Sequence, residues 1–181
     1  MDTYENVEIQ ELPLSVPLYR RKVEDFLGRN GLRLEEVDLY LGVLDSDGGI
    51  LAGAGLYRDI IKCIAVSEAA RSEGYSVPLI SRLIALAAER GHTNVKVFTK
   101  PGNRAVFESL GFRLLASAPK AILMENGRGL ETYCTYLRAH RAPGVIVMNA
   151  NPFTLGHQYL VAQARSARRA ESGNLVIIPV K

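Results

Sequence analysis

The chain has 181 residues, of which 48% are hydrophobic and 23% charged, and its net charge is +3. That composition indicates a globular protein with a sizeable core, and the small, scattered positive charge disfavours general nucleic-acid binding. No apolar run approaches the roughly 20 residues of a membrane span and the N-terminus lacks a secretory signal, so we expect a cytoplasmic protein without a membrane partner.

The first 126 residues predict a mixed α/β domain. Apolar periodicity and turn residues indicate a helix, two strands of a hairpin, a third strand, a long helix, a strand, a short helix and two further strands. The predicted bounds are, in that order, 17–29, 37–44, 50–56, 60–66, 76–90, 95–99, 103–110, 112–115 and 121–124. This order predicts an antiparallel start and one parallel crossover in the middle of the sheet.

The last third of the chain predicts a second domain. An amphipathic connector helix occupies 127–142, and residues 143–181 follow as a strand at 145–148, a helix at 155–170, a turn at 172–174 and a strand at 175–180. This is one βαβ unit of Rossmann-like type. A nucleotide site of that type needs more than two strands, so we expect a truncated second domain and a chain that is catalytically incompetent alone.

The two cysteines, Cys63 and Cys134, fall on different predicted elements. We expect buried free thiols there and neither a disulfide nor a metal pair. The sequence predicts no metal site.

A first candidate site lies between the strand at 60–66 and the longest helix, in the sequence Arg-Ser-Glu-Gly-Tyr-Ser of residues 71–76. Gly74 permits a tight turn, and the free amides of residues 72–77 would lie at the positive end of the helix dipole, which favours a pyrophosphate. Arg71 would add a charge-assisted contact. An ordinary strand-to-helix turn is an equally good interpretation of these residues alone.

Residues 60–112 resemble the GNAT acetyltransferases. The phosphate loop of that family reads Arg/Gln-x-x-Gly-x-Gly/Ala, and Arg71, Gly74 and Ser76 occupy its places. The sequence of residues 103–112 is similar to the second signature, Asn-x-x-Ala followed by an aromatic residue and Gly-Phe. The resemblance implies a GNAT-like fold that binds a CoA-type arm through Cys63, Ile64, Ala65, Val66, Arg71, Ser72, Glu73, Gly74, Tyr75, Ser76, Asn103 and Phe107.

Phe107 departs from the GNAT pattern. The family often has a tyrosine there, whose hydroxyl serves as general acid toward the leaving thiolate, and phenylalanine has no proton to donate. The sequence therefore predicts arm binding by this domain and disfavours conventional acetyl transfer to an amine.

A second candidate site lies in residues 145–161, where a buried strand, an Asn/Pro loop and a helix follow one another. Thr154 suits the N-cap, and Gly156 permits close approach of a ligand to the backbone. At the positive helix end, His157 is favoured as a neutral imidazole that donates to charge developing on a phosphoryl oxygen. The alternative is a capped helix with an incidental histidine.

This stretch resembles the Thr/His-x-Gly-His signature of nucleotidylyltransferases. Asn-Ala-Asn-Pro-Phe-Thr-x-Gly-His directly after a GNAT-like domain is similar, more narrowly, to the citrate lyase ligases. That resemblance implies ATP, with Mg²⁺, bound by Asn149, Asn151, Phe153, Thr154, Gly156 and His157. It also implies catalytic roles for Thr154 and His157.

The ligase resemblance implies a reaction in two steps. Acetate and ATP form acetyl-AMP and pyrophosphate, and the acetyl group then passes to the thiol of a CoA-like phosphopantetheine arm on the acyl carrier subunit of citrate lyase. AMP is a good leaving group, which reduces the need for a proton-donating tyrosine at position 107. Two alternatives stay open: a CoA-dependent N-acetyltransferase, and a non-catalytic module that binds a CoA-bearing carrier protein.

Overall fold

The computed structural model describes residues 8–139, 144–167 and 175–179. The chain divides into two compact units, Met1–Arg128 and Gly129–Lys181. The predicted turn at 172–174 and the predicted ends of the connector helix, of the last helix and of the last strand lie outside the described residues.

In its described residues, from 8 to 128, unit 1 has a seven-stranded mixed sheet and three helices. Its elements are β1 (Ile9–Glu11), α1 (Pro17–Arg29), β2 (Leu39–Leu44), β3 (Ile50–Tyr57), β4 (Ile60–Val66), α2 (Ser76–Glu89), β5 (Val95–Thr99), α3 (Arg104–Ser109), β6 (Phe112–Ala118) and β7 (Ala121–Asn126). Two 3₁₀ turns, Glu68–Ala70 and Pro101–Asn103, precede α2 and α3. The strand β1 was not predicted, because three residues are too few to show a period.

The sheet has the order β1-β2-β3-β4-β5-β7-β6. Strands β4 and β5 are parallel, and the other neighbouring strands pair antiparallel. This confirms the predicted mixed sheet with its single parallel crossover.

The helices α1 and α2 cover opposite faces of this sheet. Along β2, Leu39, Leu41 and Val43 belong to the core cluster that contains α2, while Tyr40 belongs to the cluster that contains α1. Successive strand residues point to opposite faces, so β2 is buried on both sides. Both clusters bury side chains that the helical periodicity predicted, such as Leu83 of α2.

Strands β4 and β5 separate soon after they meet. They pair only at Ile60 and Ile61, so that from Lys62 to Val66 the edge of β4 that faces β5 has no strand partner among the described residues. On its other edge β4 carries a bulge: Gly55 pairs with Lys62 and Gly53 with Ala65, so that two residues of β4 face one residue of β3. Such a bulge bends a strand and increases its local twist.

Unit 2 contains α4 (Gly129–Ala139), β8 (Gly144–Met148), α5 (Leu155–Ala167) and β9 (Leu175–Pro179). β8 and β9 pair in parallel, from Gly144 opposite Leu175 to Met148 opposite Pro179. The βαβ unit predicted from the sequence is therefore present. Several of its apolar side chains are exposed, including Val145, Val147 and Tyr159. Among the helices that the structure describes, none is both long enough and apolar enough to cross a bilayer.

Candidate functional site

The predicted phosphate loop of unit 1 connects β4 to α2. A 3₁₀ turn, Glu68–Ala70, leads into it, and Gly74 has a φ of 72°, which a glycine adopts without steric cost. The 14-residue helix α2 begins at Ser76 with no side-chain cap. The first amides of a helix have no partner within it, so this end can receive hydrogen-bond acceptors from a ligand.

Four amides of this loop are available. In the described part of the chain, the backbone N–H groups of Ser72, Gly74, Tyr75 and Ser76 donate to no other group. The sequence prediction of free amides throughout 72–77 is wrong for two residues. Glu73 donates to the carbonyl of Ala70 and Val77 to that of Gly74, each at 3.2 Å. Both bonds close tight i→i−3 turns, which sequence periodicity does not show.

Two side chains of the same loop have unused polar groups. The exposed guanidinium of Arg71 has no ion-pair or hydrogen-bond partner among the described residues. The hydroxyl of Ser67, at the start of the loop, is buried and likewise unpartnered within the described ranges. Buried polar atoms in folded proteins rarely lack a partner, so Ser67 is a candidate ligand contact that the sequence reasoning missed.

Asn103 and Phe107 lie outside this loop, in the 3₁₀ turn before α3 and in α3 itself. The Asn103 amide nitrogen donates to the Thr99 hydroxyl at 2.8 Å, which links the 3₁₀ turn before α3 to the end of β5. Phe107 is only 2% exposed and packs edge-on against Phe112, with ring centroids 5.2 Å apart. Its ring therefore contributes to the core, and we assign it no polar role.

The strand predicted to bind the arm is β4, and its bulge consists of Cys63 and Ile64 opposite Ala54 of β3. Cys63 has a φ of 51°, a left-handed conformation that is uncommon outside glycine. Its Sγ accepts from the amide of Glu35 at 3.4 Å and lies 3.6 Å from the carbonyl oxygen of Arg33. Burial raises the pKa of the Cys63 thiol. Both Cys63 and Cys134 are half-buried free thiols, more exposed than the sequence suggested.

Lys62, next to Cys63, is tied to the same segment. Its Nζ lies 2.6 Å from the Glu35 carboxylate and 3.4 Å from the carbonyl oxygen of Glu36. The hydrogen bond to Glu35 raises the pKa of the Lys62 ammonium. Together with the contacts of Cys63 Sγ, these contacts link the bulge in β4 to the segment of residues 33–36.

In unit 2, His157 stands in the first turn of α5 and reaches back to the residue before the helix. Its Nδ1 accepts from the backbone N–H of Thr154 at 3.0 Å and lies 2.9 Å from the Thr154 hydroxyl. The Thr154 carbonyl accepts from the Gln158 amide, which identifies Thr154 as the N-cap. A backbone N–H always donates, so Nδ1 carries the lone pair. In the neutral ring the proton is therefore on Nε2.

Of the remaining predicted nucleotide contacts, Phe153 touches this histidine. The Phe153 ring stacks on the imidazole at 5.7 Å between centroids, and the Asn149 side chain accepts from the Asn151 amide at 3.3 Å. A Cβ added to Gly156 would meet nothing nearer than the Thr154 hydroxyl at 3.6 Å. The fold of unit 2 therefore does not require glycine at 156, which fits a position that a ligand approaches.

Sequence comparison identifies the relatives of this chain. A family model described as citrate lyase ligase C-terminal domain matches residues 143–178. The [citrate [pro-3S]-lyase] ligase of Klebsiella pneumoniae is 42% identical over 154 residues, which cover 81% of this chain and 45% of that protein. The ligase of Escherichia coli strain K12 is 41% identical over 150 residues, covering 79% and 42%. This chain is homologous to the citrate lyase ligases. It spans about half the length of these curated relatives.

Structural comparison identifies the fold of the larger part of the chain. A GNAT acetyltransferase from Staphylococcus aureus Mu50 has a TM-score of 0.53 at 13% identity, over 66% of this chain and 97% of its own. An aminoglycoside 6'-N-acetyltransferase in complex with coenzyme A has a TM-score of 0.54 at 12% identity, over 65% and 95%. These values confirm a GNAT-like fold.

Proposed function

We propose that this chain is part of an ATP-dependent ligase that acetylates the thiol of a CoA-like phosphopantetheine arm carried by the acyl carrier subunit of citrate lyase. The observation that carries the proposal is the geometry of His157 within the segment that matches the ligase family. Its Nδ1 is used by the helix cap, which leaves Nε2–H as the free donor of the neutral ring, and a Cβ added at the neighbouring Gly156 would meet only the Thr154 hydroxyl.

The first step takes place on unit 2. The carboxylate of acetate attacks the α-phosphorus of ATP, the bond to the bridging oxygen breaks, and acetyl-AMP and pyrophosphate form. The Nε2–H of His157 donates to a phosphoryl oxygen as its charge grows, and the N-terminus of α5 favours the same charge. Among the described residues no group of three metal-ligating side chains occurs, so Mg²⁺ would be held largely by the phosphates of ATP.

The second step uses unit 1. The pyrophosphate of the arm occupies the free amides of residues 72, 74, 75 and 76 beside Arg71, and the amide groups of the pantetheine pair with the unpaired edge of β4. The arm thiol attacks the acetyl carbonyl of acetyl-AMP, a thioester forms and AMP leaves with the bonding electrons. The thiol proton passes to solvent or to the departing phosphate.

Binding measurements on the ¹⁵N-labelled 181-residue chain test this proposal. Dephospho-CoA is expected to shift the amide resonances of Ser72, Gly74, Tyr75 and Ser76, and ATP those of Gly156 and His157. Unshifted resonances in either segment would refute the proposal. The described strands of unit 2 are only two, so we expect binding without turnover, and acetate-dependent ATP–pyrophosphate exchange would contradict that expectation.

A matched pair of arginine variants tests the proposed pyrophosphate site at the start of α2. Arg71→Gln is expected to weaken dephospho-CoA binding by roughly tenfold, since a charge-assisted contact is lost. Arg90→Gln removes the same charge just beyond the opposite end of α2 and is expected to leave the affinity unchanged. Equal effects of the two variants would show that positive charge attracts the ligand in general and that no specific pyrophosphate site exists at the N-terminus of α2.

The GNAT fold favours one second candidate, a CoA-dependent N-acetyltransferase. The buried ring of Phe107 speaks against it, because that position offers no proton to a leaving thiolate. Release of free CoA from acetyl-CoA in the presence of amines would favour this second candidate over the ligase.

A further inference from the structure

The side chain of Tyr40 extends from β2 across β3 to the bulge in β4. Its hydroxyl donates to the carbonyl oxygen of Cys63 at 3.2 Å. That carbonyl belongs to the bulge, where Cys63 and Ile64 of β4 lie opposite Ala54 of β3, so the tyrosine supplies a hydrogen bond where the regular pairing is interrupted. Tyr40 is completely buried in the cluster formed with α1.

Two glycines of β3 make room for this ring. A Cβ on Gly53 would lie 2.6 Å from the Tyr40 hydroxyl oxygen, and a Cβ on Gly55 would lie 3.3 Å from Tyr40 Cδ2 and 2.6 Å from a methyl group of Val37. Glycines within a strand often mark a place where another group approaches the backbone closely. Here the approaching group is Tyr40.

The bulge itself is costly without such support. Cys63 has a left-handed backbone, and residues other than glycine persist there only when their surroundings fix them. The Tyr40 hydroxyl supports the bulge from the α1 side of the sheet, and the contacts of Cys63 Sγ and Lys62 with residues 33–36 hold it from the adjoining segment.

The bulge lies where β4 has left β5. The two strands pair only up to Ile61, and the bulge at Cys63 lies within the stretch from Lys62 to Val66 whose edge toward β5 has no strand partner among the described residues. A bulge redirects the hydrogen-bonding groups of its strand. The orientation of the amides and carbonyls that β4 presents on its unpaired edge beyond the bulge therefore depends on how firmly Cys63 is held.

We propose that Tyr40 is a positioning residue for the ligand arm: by holding the carbonyl of Cys63, it fixes the direction in which the free edge of β4 presents its hydrogen-bonding groups to a pantetheine amide. This inference rests on the proposed binding of a CoA-like arm to unit 1. Tyr40 itself is buried behind the strand and touches no ligand.

The test uses the 181-residue chain with Tyr40→Phe, which keeps the ring and removes the hydroxyl. Tyr19→Phe is the matched control, because Tyr19 packs against the same cluster and its hydroxyl has no hydrogen-bond partner among the described residues. One net hydrogen bond corresponds to a change of roughly two- to tenfold, so Tyr40→Phe is expected to weaken dephospho-CoA binding by that factor and Tyr19→Phe not at all.

Two further measurements separate positioning from general destabilisation. ADP contains the pyrophosphate and nucleoside of dephospho-CoA but lacks the arm. The ADP affinity, measured from the amide shifts of residues 72–76, should therefore be the same in Tyr40→Phe and in the unaltered chain. In a Cys63→Gly background, where glycine adopts the bulge conformation at low cost, the effect of Tyr40→Phe on dephospho-CoA affinity should shrink.

The outcomes are distinguishable. If the unaltered chain does not bind dephospho-CoA, the proposed function fails and this inference fails with it. If the unaltered chain binds and Tyr40→Phe binds equally well, the proposed function stands and the positioning role of Tyr40 is refuted. Equal losses for ADP and dephospho-CoA, or an undiminished effect in the Cys63→Gly background, would reduce Tyr40 to a structural residue.

Discussion

The Nδ1 atom of His157 lies 3.0 Å from the backbone nitrogen of Thr154, so the candidate catalytic histidine also caps the helix on which it stands. Thr154 is the N-cap and His157 the third helical residue, which is the spacing of a capping box with imidazole in place of the usual Glu or Gln. A capped helix and a functional histidine were alternative interpretations of the sequence. The geometry makes them compatible, since capping fixes the tautomer that offers Nε2–H to a ligand.

Substitution of His157 separates these two roles. His157→Asn places an amide oxygen where Nδ1 stands and keeps an acceptor for Thr154, so the midpoint of thermal unfolding should change little. His157→Ala removes the acceptor and should destabilise the helix start by roughly 0.5–2 kcal/mol. Both variants lack Nε2 and should lose ATP-induced shifts in residues 154–157. Full ATP binding by the asparagine variant would show that Nε2 makes no contact with the nucleotide.

Gly156→Ala tests whether a ligand uses the space above the helix backbone. The added methyl group meets only the Thr154 hydroxyl at 3.6 Å, an ordinary contact, and alanine favours a helix over glycine. We therefore expect equal or slightly higher thermal stability together with loss of ATP binding, measured by NMR titration. Ser166→Ala, on the exposed last turn of α5, serves as the control for effects on the helix alone. Unchanged ATP affinity in Gly156→Ala would exclude close approach at this position.

The mixed sheet was predictable from the sequence because each element carries a local signal. The turn residues between β2 and β3 and the helical periodicity of α2 do not depend on distant contacts. The bounds of β4 and β5 agree with the prediction at both ends. Periodicity does not show which residues of two strands pair, so the sequence did not predict the early separation of β4 from β5.

The candidate sites were predicted unevenly for a similar reason. Gly74 and His157 belong to contiguous motifs, and their conformations follow from a few neighbouring residues. Tyr40 acts on Cys63, 23 positions away, through a ring that crosses another strand. Gly53 and Gly55 were the only sequence features that pointed to this contact. A glycine in a strand indicates that another group approaches the backbone, but it does not identify that group.

The reactivity of Cys63 provides a pH test of its environment. Burial raises the pKa of the thiol, so the folded state holds the proton more tightly than the unfolded state does. In a Cys134→Ser chain, iodoacetamide at pH 8 should alkylate Cys63 more slowly than it does in urea, because only the thiolate reacts. The stability contributed by this group is complete below the unfolded pKa and is lost as pH rises through the folded value. Alkylation at equal rates in both states would contradict a desolvated thiol.

Phe107→Tyr asks whether restoring a hydroxyl restores transferase chemistry. The ring is buried against Phe112, so a new hydroxyl would be desolvated without an assured partner, at a cost of about 1–3 kcal/mol. We expect a lower unfolding midpoint and no acetyl transfer from acetyl-CoA to amines. Val106→Thr, a polar change at a neighbouring exposed position, should change stability little. Amine-dependent turnover in the tyrosine variant would show that position 107 can face the reacting groups.

The strand glycines give the last prediction. Gly53→Ala would place a methyl group 2.6 Å from the Tyr40 hydroxyl oxygen and 2.7 Å from Cε1, and the fully buried ring cannot move aside without displacing the core. Overpacking of this kind costs about 1–3 kcal/mol in the free energy of unfolding, measurable by urea denaturation. Gly28→Ala is the matched control: nothing lies within 4 Å of the added atom, and alanine within α1 should stabilise the chain by up to about 1 kcal/mol. Because the clash displaces the Tyr40 hydroxyl, Gly53→Ala should also weaken dephospho-CoA binding, whereas Gly28→Ala should not. Gly53→Ala with unimpaired stability would mean that the ring has room to shift, and that Tyr40 does not hold the bulge in one position.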